Sequence, residues 1–181
     1  MSGLKLRQAE PGDVPAITDV IAGSVRSLAK GIYDERQIEL SIRSVFGVDH
    51  QLIADGTYFV AEGSEGQIAG CGGWSKRRTL YGASAYGESR DPEFLDPGVD
   101  AAKIRAFFVH PDFARQGIGS AILETCESEA KEAGFAAAEM MATLPGVPLY
   151  SARGYSGDER VQIPVGEGVE IECIRMRKNL L

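Results

Sequence analysis

The sequence is poor in the residues that build disulfide frameworks and metal sites. Among its 181 residues there are only three cysteines and two histidines. Cys71, Cys126 and Cys173 are too far apart for a CxxC metal motif, and three cysteines do not form a disulfide framework. No run approaches the roughly 18 consecutive apolar residues of a membrane-spanning helix. These absences favour a reducing compartment and argue against a disulfide-stabilised secreted protein and a membrane-spanning one.

The chain also lacks an excess of positive charge. It has 26 Asp and Glu residues against 19 Lys and Arg residues, a net charge of −7, and no basic stripe that could follow a phosphate backbone. Residues 1–7 lack the apolar segment of a signal peptide. We therefore expect one cytoplasmic domain over residues 1–181, with no nucleic-acid or membrane partner.

The first half of the chain alternates between strand and helix patterns. Residues 4–9 alternate apolar and polar side chains, as a strand does. Apolar residues at helical spacing follow Asp13 and Asp34, two residues that can cap helices. Residues 57–62 and 67–75 flank a Gly-Ser-Glu-Gly turn and predict an antiparallel hairpin.

The second half continues the alternation. Residues 103–109 predict a buried central strand that ends at Pro111, and a helix follows over 117–133. Three more elements are predicted: a strand over 138–142, a short helix over 148–153 and a strand over 169–178. In that last strand the apolar residues change phase, which predicts a bulge near Cys173. The order β-α-α-β-β-β-α-β-α-β predicts a mixed sheet with helices on its faces.

The segment that indicates chemistry is 104–123, IRAFFVHPDFARQGIGSAIL. The first amides of a helix have no intrahelical partner, and Gly117 and Gly119 would let a pyrophosphate approach them. A P-loop is excluded because Ser-Ala follows Gly119, and a dinucleotide fingerprint is excluded because Ile122 takes its third small position. Glycines that serve only helix packing remain the alternative.

This segment resembles motif A of the GNAT superfamily of acetyl-CoA-dependent N-acetyltransferases. In that motif a strand ending in Val-x-Pro precedes Arg/Gln-x-x-Gly-x-Gly/Ala at the start of a long helix. Residues 109–111 (Val-His-Pro) and 117–119 (Gly-Ile-Gly) match, whereas Ala114 replaces the leading Arg/Gln. Residues 149–155, LYSARGY, resemble motif B, Tyr-x-x-x-Gly-Phe/Tyr. The resemblance implies an α/β (α+β) fold with a mixed, mostly antiparallel sheet and helices on both faces.

The resemblance also implies acetyl-CoA as cosubstrate, no metal, and a set of contacts for the acetyl donor. The pantetheine arm would pair with the backbone of Phe107, Phe108 and Val109, and the Val109 amide would polarise the thioester carbonyl. The pyrophosphate would lie on six consecutive residues: Arg115, Gln116, Gly117, Ile118, Gly119 and Ser120.

Tyr150 is the predicted general acid. The leaving thiolate has a pKa of about 8.5, like a model cysteine, and a tyrosine of pKa about 10 is a neutral donor at pH 7. A purely structural tyrosine is the alternative, and Thr143 stands where the family often has asparagine. The general base stays open among His110, His50 and Glu62. The cysteines are interpreted as buried structural thiols.

The acceptor is expected where the two N-terminal helices, the hairpin and the irregular segment 79–100 meet. Five aromatic residues lie in these segments: Tyr33, Tyr58, Trp74, Tyr81 and Tyr86. Five acidic residues lie in segment 79–100: Glu88, Asp91, Glu93, Asp96 and Asp100. Together they suggest a cationic amine, held by cation–π and charge attraction.

The sequence thus predicts an N-acetyltransferase that moves an acetyl group from acetyl-CoA to a small-molecule or peptide primary amine by direct attack in a ternary complex. A non-catalytic acyl-CoA-binding or sensing module on the same fold is the first alternative. A protein-interaction domain without a cofactor is the second. The acceptor, the base and the oligomeric state, a homodimer included, stay undetermined.

Overall fold

In the computed structural model, which describes residues 3–87 and 90–181, seven strands form one sheet. The strands are β1 (Lys5–Gln8), β2 (Tyr58–Glu62), β3 (Ile68–Ser75), β4 (Ala102–Val109), β5 (Ala137–Thr143), β6 (Ser156–Gly166) and β7 (Val169–Asn179). The helices are α1 (Val14–Leu28), α2 (Glu35–Arg43), α3 (His50–Ala54), α4 (Ile118–Glu132) and α5 (Val147–Ala152). The strand order is β1-β2-β3-β4-β5-β7-β6, and every neighbouring pair is antiparallel except β4 and β5. The predicted mixed, mostly antiparallel sheet is confirmed.

Helices cover both faces of this sheet because their apolar residues recur at helical spacing. Ile17 and Ile21 of α1 are buried in a core with Tyr58 on one face. Ile122 and Cys126 of α4 are buried in a second core on the other face. Among residues 3–87 and 90–181, no helix is both long and apolar enough to span a bilayer.

The two parallel strands diverge, and this divergence positions the site. β4 and β5 pair only at Ala102 with Ala138 and at Lys103 with Glu139. Beyond these pairs the strands separate, so the inner edge of β4 loses its neighbour in the sheet. In the part of the chain that the structure describes, no strand pairs with residues 104–109 on that side.

Of the two aspartates predicted to cap helices, Asp34 does so and Asp13 does not. The capping box of α2 is confirmed, since Asp34 accepts from the Gln37 amide at 2.8 Å and Gln37 accepts from the Asp34 amide at 2.9 Å. The Asp13 side chain does not cap α1. It accepts instead from Arg7 at 2.8 Å and from the Glu10 amide at 2.7 Å.

The predicted bulge near Cys173 is wrong. β7 pairs with β5 without a register shift from Asn179 to Cys173, and Cys173 lies opposite Val161 of β6. The apolar residues change phase because β7 is covered on both faces. Ile171 and Cys173 pack in the core under α1 and α2, and Met176 packs in the core under α4.

The predicted element order lacks α3 and β6. α3 has five residues, too few for a helical repeat to show in the sequence. β6 is an edge strand whose first five residues are exposed, so no apolar alternation marks its start.

Candidate active site

A cavity of about 750 Å³ opens where β4 and β5 diverge. Its wall is formed by the last turn of α1, residues 45–47 and 80–83, residues 104–109 of β4, the start of α4, part of β5 and α5. The wall has two parts: one is the start of α4, and the other is formed by α1 and the segment after β3. The cavity therefore joins both predicted motifs to the segments expected to hold an acceptor.

A backbone irregularity in β4 shapes the floor of the cavity. Ala106 has φ of 55°, a conformation that costs a non-glycine residue about 1–3 kcal/mol, and the register with β3 shifts at this point. The hydroxyl of the fully buried Tyr58 donates to the Ala106 carbonyl at 2.9 Å. Gly72 leaves room for the bulged chain, because a Cβ there would lie 2.7 Å from the Phe107 ring. Tyr58 and Gly72 thus hold β4 in this shape.

The amide of Val109 faces the cavity. His110 donates its backbone N–H to Ala69 at 2.8 Å, while Val109 lies opposite Gly70. In an antiparallel ladder hydrogen-bonded and non-hydrogen-bonded pairs alternate, so the N–H of Val109 points away from β3. β5 has diverged on that side, which leaves this donor free for a ligand carbonyl.

The backbone of residues 115–120, which leads from β4 into α4, forms a concave turn that is called the cradle below. Arg115 and Gly117 have φ of 61° and 81°, and left-handed residues in such a turn direct successive N–H groups into one concavity. α4 begins at Ile118, so its unpaired first amides add the positive end of the helix dipole. Gly119 serves packing as well, because a Cβ there would lie 3.0 Å from the Leu149 side chain.

Two arginines lie at this cradle. Arg115 is exposed, lines the cavity and has no ion-pair partner among the described residues. Arg153 was not predicted as a site residue, although it lies within motif B. Its Nε donates to the Ser120 hydroxyl at 3.0 Å, and its guanidinium pairs with Glu124 at 2.8 Å. Gln116 does not line the cavity; its amide donates to a backbone carbonyl at 3.3 Å.

Tyr150 lines the cavity and is 9% exposed. Its ring makes edge contacts with Phe107 and Tyr155, with centroid distances of 6.3 and 6.2 Å. Burial raises the pKa of Tyr150 well above that of a free tyrosine, so the hydroxyl stays protonated. Gly146, which the sequence did not indicate, lets the ring approach the chain, because a Cβ there would lie 2.8 Å from it.

The two histidines lie outside the cavity wall. His110 accepts from the Asp112 amide at 3.1 Å through Nδ1, and its ring packs against Phe113 at 5.8 Å. It acts as a turn residue after β4. His50 is exposed at the start of α3, where its backbone N–H donates to Ser84 at 2.8 Å. Neither histidine is therefore among the described residues that line the cavity.

Glu62, the third base candidate, also lies elsewhere. It accepts from Arg7 at 2.6 Å, at the end of β2. Among the described residues that line the cavity there is no aspartate, glutamate or histidine. Arg105 and Arg115 are the charged side chains in that wall.

The acceptor residues predicted from the sequence are only partly brought together. Tyr33 and Tyr81 line the cavity, but Tyr58, Tyr86 and Trp74 do not. Tyr58 and Tyr86 donate to backbone carbonyls, and Trp74 donates to a carboxylate of α4.

The acidic entrance predicted from segment 79–100 is not found in the described part of that segment. Asp91, Glu93, Asp96 and Asp100 do not line the cavity, and Glu88 lies outside the described residues. In the described part of this segment, the residues that line the wall are the uncharged residues 80–83. The charge argument for a cationic acceptor is therefore corrected.

A buried charge cluster lies behind the cavity wall instead. Asp49, with a side chain 1% exposed, accepts from Arg105 at 2.7 Å and from Arg90 at 2.9 Å. Arg105 is 4% exposed and also donates to the Gly82 carbonyl at 2.6 Å. Burial lowers the pKa of Arg105, and the Asp49 carboxylate opposes that effect. Among the described residues of this cluster, two guanidinium groups face one carboxylate, which gives these three groups a net positive charge.

The three cysteines are buried and form no disulfide. Burial raises the pKa of Cys71 and of Cys173 to about 12, and that of Cys126 is also raised far above its ordinary value. The thiolate needed for covalent catalysis is therefore disfavoured. The described part of the chain contains no group of three or more His, Cys, Asp or Glu placed to hold a metal ion.

The chain belongs to the Acetyltransferase (GNAT) family, whose model matches residues 25–155. Its fold is similar to that of a GCN5-related N-acetyltransferase from Rhodopseudomonas palustris, with 20% identity, a TM-score of 0.73, and 99% of this chain and 97% of that chain covered. It is also similar to the PaiA N-acetyltransferase from Thermoplasma acidophilum, solved in complex with coenzyme A (15% identity, TM-score 0.66, 99% of both chains). A third similar structure is yncA from Salmonella typhimurium, solved with acetyl-CoA (16% identity, TM-score 0.64, 99% of this chain and 95% of that one). No curated protein matches the chain.

Proposed function

We propose that the protein transfers the acetyl group of acetyl-CoA to a primary amine by direct attack in a ternary complex. The observation that carries this proposal is one cavity lined by the free amide of Val109, the cradle before α4 and the buried Tyr150. The coenzyme A and acetyl-CoA bound to the PaiA and yncA structures support the choice of acetyl donor.

The residues present fit this donor. Gly117 and Gly119 carry no side chain over the first amides of α4, and Arg115 is unpaired among the described residues. In the proposal the pyrophosphate binds the cradle of residues 115–120, and the pantetheine arm pairs with the open edge of residues 107–109. Arg153, held on Ser120, adds a second cation beside the cradle.

The proposed chemistry uses two groups of the cavity. The neutral amine attacks the thioester carbonyl, the carbon–nitrogen bond forms, and the Val109 N–H stabilises the charge that develops on oxygen. The carbon–sulfur bond then breaks, and Tyr150 donates its proton to the departing thiolate. The amine releases a proton to water, and water returns one to the Tyr150 oxygen.

A tyrosine of raised pKa suits this step because the thiolate is generated in the same buried environment. Cys173 lines the same cavity, and burial raises the pKa of its thiol to about 12. The same desolvation raises the pKa of a leaving thiol in the cavity above its value of about 8.5 in water. The pKa of the Tyr150 hydroxyl and the pKa of the leaving thiol are therefore both raised.

Tyr150→Phe tests the proposal. We expect kcat to fall by about 100-fold or more, measured as release of CoA thiol from acetyl-CoA with an amine panel, because general acid catalysis is removed. Acetyl-CoA affinity and thermal stability should change little, since the ring and its contacts remain.

Tyr155→Phe is the matched control, because Tyr155 is a buried neighbour that does not line the cavity. Its turnover should equal that of the wild type. Full turnover by Tyr150→Phe with an unchanged pH profile would remove the acid role. A thermal shift with CoA but no turnover on any amine would instead favour an acyl-CoA-binding module.

A further inference from the structure

We infer that the acceptor is a primary amine of low pKa on an uncharged, apolar body, and that strongly basic or doubly charged amines are poor acceptors. The inference rests on the proposed acetyltransferase function and names the substrate class of the same cavity. It reverses the cationic preference that the acidic sequence segment suggested.

The acceptor side of the cavity is apolar. Leu28, at 40% exposure, lies at its mouth, and the buried Ala29 and Val45 lie next to it in the wall. Phe46 and Phe108 pack edge to face, with a centroid distance of 5.7 Å. These residues offer contact to an alkyl or aromatic group and no polar atom of a side chain.

Two polar side chains of the wall beside this surface, Tyr33 and Arg105, already have partners. The Tyr33 hydroxyl donates to the Glu172 carbonyl at 2.6 Å and accepts from the Leu144 amide at 3.0 Å. The Arg105 guanidinium donates to Asp49, to Gly82 and to a further backbone carbonyl. An ammonium group that enters this part of the cavity finds no anionic partner in the described wall.

The electrostatics of the wall oppose a cation. Arg115 faces the pyrophosphate in the proposed complex, which leaves Arg105 as the charged residue of the described wall on the acceptor side; the cluster behind Arg105 has two guanidinium groups for one carboxylate among the described residues. A cation would lose hydration on entry without gaining an opposite charge, and it would be repelled by the net positive cluster. The acceptor must therefore enter in its neutral form.

The neutral fraction then depends on the pKa of the amine. The described wall has no aspartate, glutamate or histidine to take a proton from an ammonium group. An α-amino group has a pKa of about 7.7–8.0 and a lysine-type amine of about 10.4, so near pH 7.5 the neutral fraction differs by roughly 200-fold. The weaker nucleophilicity of the less basic amine offsets part of this difference.

Two acceptors with the same isobutyl group test the inference. Leucinamide carries an α-amino group of low pKa, whereas 3-methylbutylamine carries an alkylamine of high pKa. Cadaverine, with two alkylamines, is the doubly charged acceptor in the comparison. We expect kcat/KM, from CoA thiol release, to be at least about tenfold higher for leucinamide than for 3-methylbutylamine near pH 7.5. The ratio should fall as the pH approaches 10, and cadaverine should be the poorest acceptor.

Variants at the mouth provide a second measurement. Leu28→Glu places a carboxylate at an exposed position, so the protein should still fold, and cadaverine turnover should rise several-fold relative to leucinamide. Leu28→Gln, of the same size without charge, should leave that ratio unchanged. Glu88 is the acidic residue of segment 79–100 that lies outside the described residues, so it is tested separately as a base. Glu88→Gln should leave the pH profile of leucinamide turnover unchanged.

The outcomes separate the inference from the function on which it rests. Equal turnover of cadaverine and leucinamide near pH 7.5, or a pH profile altered by Glu88→Gln, would overturn the inference and leave the acetyltransferase proposal standing. Binding of acetyl-CoA without turnover of any amine would overturn the proposed function, and the inference with it.

Discussion

Asp49→Asn should strongly destabilise the protein, because Asp49 neutralises two arginines behind the cavity. Its side chain is 1% exposed and accepts from Arg105 at 2.7 Å and from Arg90 at 2.9 Å. It also caps α3 by accepting from the Gln51 amide at 3.0 Å. Asparagine preserves the shape and the cap but removes the negative charge.

The size of the effect follows from the burial of each arginine. Removal of one partner of a buried ion pair costs about 3–5 kcal/mol. Arg90 is 23% exposed and can regain water, whereas Arg105 is 4% exposed and cannot. We therefore expect a cost at the lower end of that range, a loss of about 3 kcal/mol in the free energy of unfolding. For a chain of this length that corresponds to a decrease in Tm of roughly 6–12 °C.

Urea and thermal unfolding, followed by circular dichroism, measure this loss. Asp91→Asn is the control, since Asp91 is exposed and, among the described residues, its carboxylate accepts from the Glu93 amide alone, at 3.2 Å; its effect should stay within about 0.5 kcal/mol. Adding Arg105→Met to Asp49→Asn removes the orphaned cation and should recover part of the stability. A loss below about 1 kcal/mol for Asp49→Asn, or strict additivity in the double variant, would refute the reasoning.

Two further predictions concern packing and pH. Gly70→Ala should destabilise the protein by about 1–3 kcal/mol in urea unfolding, because its Cβ would lie 2.7 Å from the Ile118 side chain. Gly12→Ala, whose Cβ meets nothing within 4 Å, is the control, and equal effects would contradict the packing argument. Asp55 accepts from Arg77 at 2.7 Å, and this hydrogen bond lowers the pKa of Asp55 below its ordinary 3.8. A lowered carboxyl pKa stabilises the fold above about pH 4 and ceases to do so as the pH falls through the folded-state pKa. The difference in Tm between wild type and Asp55→Asn should therefore be present at pH 7 and close in acid; a difference that persists in strong acid contradicts the assignment.

The local elements could be predicted because their signals lie within a few residues. The capping box of Asp34 and Gln37 needs only residues three apart, and the start of α4 is marked by Gly117. The interpretation of β7 failed for the opposite reason. Its two apolar phases reflect two cores built from helices far away in the chain, which a single strand pattern cannot distinguish from a bulge.

The same distinction, between signals within a short segment and contacts with distant segments, applies to the predicted site. The wall contains most of the predicted donor-binding residues and Tyr150, since they lie in continuous segments whose spacing is characteristic of the family. Their roles remain proposals, as do the single domain over residues 1–181, the cytoplasmic location and the absence of nucleic-acid partners. Arg153 and Gly146 could not be predicted as site residues, because their roles depend on tertiary contacts. Arg153 contacts Ser120 of α4, and Gly146 lies against the Tyr150 ring.

The sequence by itself determined the family, the start of α4 and the tyrosine that faces the cavity, because each depends on short-range spacing. Only the tertiary structure decided which charged side chains line the cavity. It placed the described acidic residues of segment 79–100 outside the cavity wall, and it paired Asp49 with Arg105 and Arg90, 56 and 41 positions away. Charge in a sequence is a sum, whereas charge in a cavity depends on which side chains the fold brings to its wall.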